Sequence, residues 1–329
     1  MIGHSVIDEA ADVLARVVRG DLVESVHLGH LVALDPDGAR VAAVGDPGVI
    51  FFPRSSLKPV QAVAMLRAGL DLDGELLALA AASHSGEPAH LDGVRAILAG
   101  AGLAGADLRN TPTPPWDAEA AYAWRVAGHG PSALAQNCSG KHAAMLATCV
   151  AAGWDPRTYL EPGHPLQQAI RAAVADLTGD GDPAHVTVDG CGAPLFSCTV
   201  AGLARAFARI ATAADATPEH RVATAIRRYP WFVGGTGREV TGFIEGVPGL
   251  IAKDGADGVF AAALPDGRAL ALKVLDGSVR PVPVVVAEAL RALGVDAPVL
   301  DEMGRVDVLG HGRPVGAVLG PFVDGPTVN

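Results

Sequence analysis

The chain has 329 residues, half of them hydrophobic, and a formal net charge of -11. This length allows a sizeable core, and a negative balance without a long run of like charges argues against nucleic acid or a membrane as a partner. Because no signal peptide and no long apolar stretch is present, we expect a cytoplasmic protein that acts on a small molecule. The four cysteines are too few for a disulfide scaffold, which leaves thiol, metal or core roles.

After a short predicted helix at the start, the predicted elements are strands, then helices, and then strands again. A short helix is predicted over residues 7–18, and then an antiparallel hairpin of residues 22–35 and 40–45 around the turn Pro36-Asp-Gly38. Helical periodicity marks six segments of the middle region, namely 56–68, 91–101, 117–126, 140–152, 165–177 and 200–214. The last predicted elements are strands at 249–252, 258–264 and 269–275 and a helix at 284–293.

Strands near both chain ends, with helices between them, favour an α+β fold. In this fold a single antiparallel sheet is formed by both chain ends, with flanking helices and a helical insertion. We predict one domain over residues 1–329. Its α/β part covers about 1–60 and 235–329, and its mostly helical part covers about 61–234.

Lysine is rare in this chain, with four residues against twenty-one arginines. Three of the four, Lys58, Lys141 and Lys253, lie in short segments that suggest chemistry. Codon bias would remove lysines at random, whereas these three are clustered in motifs. A buried lysine can lose its proton and act as a base or a metal ligand, which arginine cannot do.

The segment Ser55-Ser-Leu-Lys58 opens a predicted helix and places Ser55 and Lys58 three residues apart. A neutral lysine at that spacing can take the proton of a serine nucleophile. An N-cap serine beside a solvated lysine is the alternative interpretation. Near the other end of the chain, Lys253-Asp-Gly255 resembles the lysine-glycine strand of serine acyl hydrolases, with Asp254 where those have Ser or Thr.

Two further segments concentrate thiols and an amine. Asn137-Cys-Ser-Gly-Lys-His142 brings together Cys138, Lys141 and His142, and Asp189-Gly-Cys191 adds a second thiol beside a carboxylate. Two thiolates and a neutral lysine would suit zinc, with Asp189 or His142 close by. A disulfide or two buried thiols remain as alternatives, and Cys149 and Cys198 are predicted to be core residues.

Taken together, the motifs resemble those of the class 3, rhizobial-type L-asparaginases. The resemblance rests on segments throughout the chain, namely Arg54-Ser-Ser-Leu-Lys-Pro-Val-Gln61, Ser83-His-Ser-Gly-Glu87, Asn137-Cys-Ser-Gly-Lys-His142, His164-Pro-Leu-Gln167, Asp189-Gly-Cys-Gly-Ala-Pro194, Gly234-Gly-Thr-Gly-Arg238 and Ala252-Lys-Asp-Gly255. It implies a serine β-lactamase-like fold and the hydrolysis of L-asparagine to aspartate and ammonia. It also implies a zinc ion on Cys138, Lys141 and Cys191.

The resemblance further implies two serine-lysine pairs, Ser55 with Lys58 and Ser83 with Lys253. We predict Ser55 as the nucleophile, with Ser83 as the alternative. The substrate-binding residues are predicted to be Arg54, His142, Asp189 and Gly255. We expect the zinc to fix the ends of the substrate or to hold the pocket in shape.

Other functions remain open at this stage. A glutaminase, or another serine acyl hydrolase such as a β-lactam or ester hydrolase, would keep the serine-lysine pair. A protein that only sequesters zinc or an amino acid would keep the cysteines and tolerate loss of Ser55 and Lys58. A homodimer is the expected oligomeric state.

Overall fold

The computed structural model describes residues 7–322. The strands are β1 (Asp12–Arg19), β2 (Leu22–Leu34), β3 (Arg40–Val44), β4 (Ile50–Phe51), β5 (Val186–Val188), β6 (Pro194–Phe196), β7 (Cys198–Thr199), β8 (Ile251–Gly255), β9 (Val259–Ala263), β10 (Ala269–Val274), β11 (Asp307–Gly310) and β12 (Arg313–Leu319). The α-helices are α1 (Lys58–Arg67), α2 (Gly74–Ala80), α3 (Pro88–Gly100), α4 (Ala118–Val126), α5 (Ser139–Ala152), α6 (Pro165–Thr178), α7 (Val200–Ala211), α8 (Pro218–Arg228), α9 (Pro230–Val233), α10 (Glu239–Gly246), α11 (Val282–Ala292) and α12 (Val299–Met303). Short 3-10 helices lie at Arg54–Leu57, Gly105–Asp107 and Pro156–Thr158.

The main sheet has eight antiparallel strands in the order β11-β12-β1-β2-β10-β9-β8, and β3 also pairs with β2. It joins the two chain ends, because β1 and β2 pair with β12 and β10 respectively. Most helices come from the intervening sequence. The predicted α+β fold with one antiparallel sheet is therefore confirmed, while the division of the domain into two parts stays a prediction.

Helices cover the central strands on both faces. Every residue of β9 is buried, although successive side chains of a strand point to opposite faces of the sheet. Both α7 and α11 contact β9 and β10. The core therefore continues through the sheet, which explains why these strands are apolar throughout rather than alternating.

The helix predicted over residues 7–18 is wrong, because Asp12–Arg19 forms β1. This segment is rich in valine, which favours strands, and it pairs with β2 on one side and β12 on the other. Pairing with partners at both ends of the chain outweighed the local helical pattern. The hairpin of β2 and β3 and the strands β8 to β10 lie where they were predicted, within a few residues.

Close packing around two glycines brings the site elements together. A Cβ at Gly255 would lie 2.7 Å from the carbonyl oxygen of Pro53, so only glycine lets the end of β8 lie against the 3-10 helix Arg54–Leu57. A Cβ at Gly140 would lie 2.5 Å from the carbonyl oxygen of Leu79, which fixes the start of α5 against the end of α2. Both positions need the missing side chain because another backbone approaches there.

Candidate active site

Lys58 is the centre of the candidate site. It is the first residue of α1, it is 1% exposed, and its Nζ is surrounded by acceptors. Its Nζ donates to the carbonyl oxygen of Ala82, to Ser83 Oγ at 3.0 Å and to Cys138 Sγ at 3.1 Å. These contacts join a predicted catalytic lysine to a predicted catalytic serine and to a predicted metal ligand.

Ser83 lies in an extended segment that follows α2. The backbone N–H of Ser83 donates to Val233 at 3.0 Å, that of His84 donates to Asn137 at 3.1 Å, and that of Ser85 donates to Gly234 at 2.8 Å. His84 Nε2 also lies 2.9 Å from Ser139 Oγ, at the start of α5. This segment is therefore fixed between the neighbouring loops, and Ser83, at 3% exposure, is held rigidly against Lys58.

Ser55 lies in the 3-10 helix that leads into α1. Its carbonyl oxygen accepts the backbone N–H of Lys58. Unlike Ser83, Ser55 is partly exposed, so that a substrate can reach it. Within residues 7–322 its hydroxyl makes no hydrogen bond, and the lysine contact expected from the three-residue spacing is made by Ser83 instead.

Lys253 lies in β8 and is fully buried. Its Nζ donates to the carbonyl oxygen of Asp254 at 2.9 Å and forms an ion pair with Asp254 Oδ1. Burial and the nearby charge of Lys58 lower the pKa of Lys253 to about 8, although Asp254 opposes this shift. Burial alone would raise the pKa of Asp254, but the cations Lys253 and Arg238 lower it to about 2. Across the neutral range a carboxylate thus faces an amine that can lose its proton.

We expect the reaction rate to rise with pH as Lys253 is deprotonated. Neutral Lys253 no longer repels a proton arriving at Lys58, so kcat should increase about tenfold between about pH 7 and about pH 9. Asp254→Asn removes the anion that raises the pKa of Lys253, and the rising limb should move to lower pH. Rate profiles of the two enzymes test this, and a limb that stays in place in the variant would contradict it.

The structure brings together the three predicted metal ligands. Lys141 Nζ donates to Cys191 Sγ at 3.2 Å, and both side chains are buried. Cys138 precedes α5, while Cys191 lies in the turn between β5 and β6, where Asp189 also lies. The cysteines are free thiols rather than a disulfide. Cys149 and Cys198 are buried in the core, as predicted.

Cys138 and Cys191 together carry one negative charge. A hydrogen bond between the two side chains raises the pKa of Cys138 to about 12 and lowers that of Cys191 to about 5. Burial would lower the pKa of Lys141, but Cys191 and Cys138 raise it. The arrangement is therefore a protonated Cys138 beside a Cys191 thiolate that faces the Lys141 ammonium.

The chemistry of this donor set fits a soft divalent ion. In the described part of the chain, no group of three or more His, Cys, Asp or Glu side chains has the geometry to hold a metal ion by itself. A metal here would need the Lys141 nitrogen beside the two thiolates, as the sequence analysis expected. Such a site has two neighbouring sulfur donors, one of which contacts the buried Lys141 nitrogen, and this donor set suits zinc.

His142 and Asp189 flank the thiols in different ways. His142 is fully buried, its Nδ1 lies 2.8 Å from the Tyr159 hydroxyl, and its Nε2 has no partner within residues 7–322. Burial lowers the pKa of His142 well below its usual value, so the ring is neutral. Burial would raise the pKa of Asp189, but Lys141 and Arg54 lower it. Sequence reasoning did not identify Tyr159, which holds the ring in place.

Arg54 connects two loops at the edge of the site. Its Nε donates to Asp189 Oδ1 at 2.8 Å, and its guanidinium also forms an ion pair with Asp257 in the turn after β8. Its backbone φ of 53° is unusual for a residue with a side chain. A cavity of about 930 Å³ lies beside Arg54 and Asp257, but Ser83, Lys58 and Lys253 do not line it. Lys58, Ser83 and Lys253 are therefore buried away from this cavity.

The loop of residues 234–238 closes another side of the site. Gly235 has a φ of 127°, and a Cβ there would lie 2.4 Å from Ser85 Oγ. Glu87 accepts hydrogen bonds from the N–H of Thr236 at 2.9 Å and from its hydroxyl at 2.8 Å. Arg238 ends the loop and donates to Asp254 Oδ2 at 2.7 Å. Arg238 lies in one of the motifs that carry the family resemblance, but no role was predicted for it.

Two solved structures are similar to parts of this chain. A β-lactamase from Mycobacterium bovis is similar in structure, at 14% identity, with a TM-score of 0.47 over 81% of this chain and 95% of that one. The structure of Mglu in its tris and glutamate form shares 17% identity and has a TM-score of 0.38, over 88% of this chain. The chain spans 66% of Mglu, just under two thirds of its length. Both TM-scores are below 0.5, so these likenesses are partial.

Sequence comparison identifies the family. Among curated proteins, none matches the chain significantly. The family model for L-asparaginase II, in contrast, matches residues 15–319. That range contains every serine, lysine and cysteine of the candidate site. Because the match spans nearly the whole chain, this protein belongs to the L-asparaginase II family.

Proposed function

We propose that the protein hydrolyses the side-chain amide of L-asparagine to aspartate and ammonia through an acyl-enzyme. The contact of Lys58 Nζ with Ser83 Oγ carries this proposal, because Lys58 lies one helical turn after the partly exposed Ser55. It is the arrangement that activates a serine hydroxyl by means of an amine. Membership of the L-asparaginase II family supports amide hydrolysis as the reaction.

In the first step Ser55 Oγ attacks the side-chain amide carbon. Its proton passes to the Lys58 amine, with the Ser83 hydroxyl as the relay, because that hydroxyl lies 3.0 Å from Nζ. Backbone N–H groups near the start of the Ser55 helix stabilise the oxyanion. The carbon–nitrogen bond then breaks, the nitrogen takes up the relayed proton, and ammonia leaves an aspartyl ester on Ser55.

In the second step water attacks this ester. A lysine amine accepts the water proton, the ester bond breaks, and the proton returns to Ser55 Oγ as aspartate leaves. Lys253 assists because, in its neutral form, it allows Lys58 to carry the positive charge. The low exposure of Lys58, Ser83 and Lys253 keeps bulk water away from the relay.

A bound zinc ion would be held by Cys138, Lys141 and Cys191. It would supply a fixed positive charge that orients the substrate and holds α5 against the turn between β5 and β6. We propose a positioning or structural role for it, because the serine and the lysines already provide a nucleophile and a base. Gly255 and Arg54 keep their proposed role at the edge of the substrate pocket.

Ammonia release by the purified protein, with L-asparagine and L-glutamine in parallel, tests the proposal. We expect release from asparagine, none from the Ser55→Ala enzyme, and a mass increase of one aspartyl group on Ser55 in the rapidly quenched wild type. An adduct that survives in Ser55→Ala and disappears in Ser83→Ala would identify Ser83 as the nucleophile. No release from either amide by the zinc-loaded protein would refute the proposed reaction.

The assembly and location are proposed on less direct grounds. Among the described residues no helix is both long and apolar enough to cross a bilayer. The homodimer and the cytoplasmic location stay predictions, and light scattering on the purified protein would test the first.

A further inference from the structure

Arg238 is a cation of the site that has a free donor. Its side chain is 16% exposed, one nitrogen, Nη2, donates to Asp254 Oδ2 at 2.7 Å, and the other, Nη1, is enclosed. Within residues 7–322 this Nη1 has no hydrogen-bond partner. A buried donor of a charged group without a partner is unfavourable, so such a group in a folded protein calls for a ligand or a water.

The charges around Arg238 do not balance. Asp254 is shared, because its second oxygen forms the ion pair with Lys253 while the first accepts from Arg238. One carboxylate therefore contacts two cations, and the other carboxylate at this loop, Glu87, accepts hydrogen bonds from Thr236 rather than from Arg238. A site with this excess of positive charge attracts a small anion.

The orientation of the guanidinium is also fixed in advance. Its carbon Cζ lies 5.5 Å from the centre of the Trp116 ring, which is 64% exposed, and the loop that carries it is anchored by Glu87. Arginine presents its donors in a rigid fork that matches a carboxylate. With Nη2 already on Asp254, Nη1 is the donor left for a second carboxylate.

We propose that Arg238 binds the α-carboxylate of the substrate and so restricts the enzyme to free amino acids. This proposal rests on the proposed function and adds a substrate class to it. An amide whose α-carboxylate is blocked, as in a peptide or an ester, would leave Nη1 unpaired and would bind weakly. Arg238 thereby becomes a specificity-determining residue, and the chemistry itself stays with the serines and lysines.

The test compares L-asparagine with its α-methyl ester, which keeps the side-chain amide and lacks the charge. Wild type should prefer asparagine in kcat/KM by about 100-fold, the size expected of a hydrogen bond between charged groups. In Arg238→Gln this preference should fall below about tenfold, mainly through a higher KM for asparagine. Arg238→Lys keeps the charge without the fork and should lie between the two.

Arg227→Gln is the matched control. Arg227 is also partly buried, but its donors reach the carbonyl oxygens of Gly249 at 2.7 Å and Ala211 at 2.9 Å. Its loss should leave the substrate ratio unchanged. An Arg238→Gln enzyme that loses both substrates equally, or one that keeps the wild-type ratio, would overturn the proposal.

A binding measurement separates this proposal from the proposed reaction. If wild type releases no ammonia from asparagine, the reaction is refuted, yet calorimetry with L-aspartate and its α-methyl ester still tests the carboxylate site. Tighter binding of aspartate by wild type, reduced in Arg238→Lys and lost in Arg238→Gln, supports the site. Equal binding of the two compounds by wild type overturns it.

Discussion

Replacing Lys58 with methionine should lower kcat at least about a thousandfold, because it removes the amine in contact with the serine relay. Methionine has a similar length and fills the space of the buried side chain, so the fold should persist. Lys58→Arg should be as inactive, since a guanidinium can donate to Ser83 but does not lose its proton in a protein. Steady-state and single-turnover rates of ammonia release provide the measurement.

Lys273→Met is the control for this experiment. Lys273 is the remaining lysine, it lies in β10, and its Nζ donates to the carbonyl oxygen of Asp257 rather than to a serine. Its loss should change kcat by less than about threefold. If Lys58→Met kept more than a tenth of the wild-type rate, Lys253 would have to be the base, and the order of proton transfers proposed above would be wrong.

The second large effect is on stability, at Cys191. Cys191→Ala leaves the buried Lys141 ammonium without its thiolate partner at 3.2 Å, and an unpaired buried charge costs about 3 to 5 kcal/mol. We expect the free energy of unfolding of the metal-free protein to fall by about that amount, and the variant to lose the zinc binding proposed for the wild type. Urea denaturation, together with metal analysis of the purified protein, measures both quantities.

Cys198→Ala separates the charge effect from the loss of a buried sulfur. Cys198 is also buried, but burial raises the pKa of its thiol and no lysine contacts it in the described structure. Its replacement should lower the free energy of unfolding by about 1 kcal/mol. Equal losses of stability in the two variants would show that the Lys141 contact contributes nothing to stability.

Removing zinc from wild type with a chelator should raise KM more than it lowers kcat, and the opposite pattern would indicate a zinc-activated water.

The contacts within the candidate site could not be predicted from the spacing of its residues. The spacing of Ser55 and Lys58 predicted a pair, but Lys58 Nζ bonds Ser83 and Cys138, which are 25 and 80 residues away in the chain. Residues this far apart in the chain come into contact only when the end of α2 and the start of α5 pack against α1. No local periodicity contains that information.

Two other features could not be predicted from the sequence because they depend on contacts between distant parts of the chain. The strand β1 was predicted as a helix, because its apolar pattern is ambiguous until β2 and β12 supply partners on both sides. Arg238 received no role, because its partner Asp254 lies on a different element and the unpaired Nη1 is visible only in the fold. In contrast, the hairpin of β2 and β3 was predictable, since a proline-glycine turn and local alternation are enough to define it.

The low exposure of three lysines allows chemical labelling to detect transient opening of the protein interior. Lys58, Lys141 and Lys253 are each at most 2% exposed, whereas Lys273 is partly accessible. An amine-reactive ester should therefore acylate Lys273 first among the lysine side chains. The slower rate at which the other three lysines are labelled would measure how often the interior opens to solvent. If a bound amino acid slows the labelling of these three lysines, the substrate and the reagent enter the protein through the same transient opening.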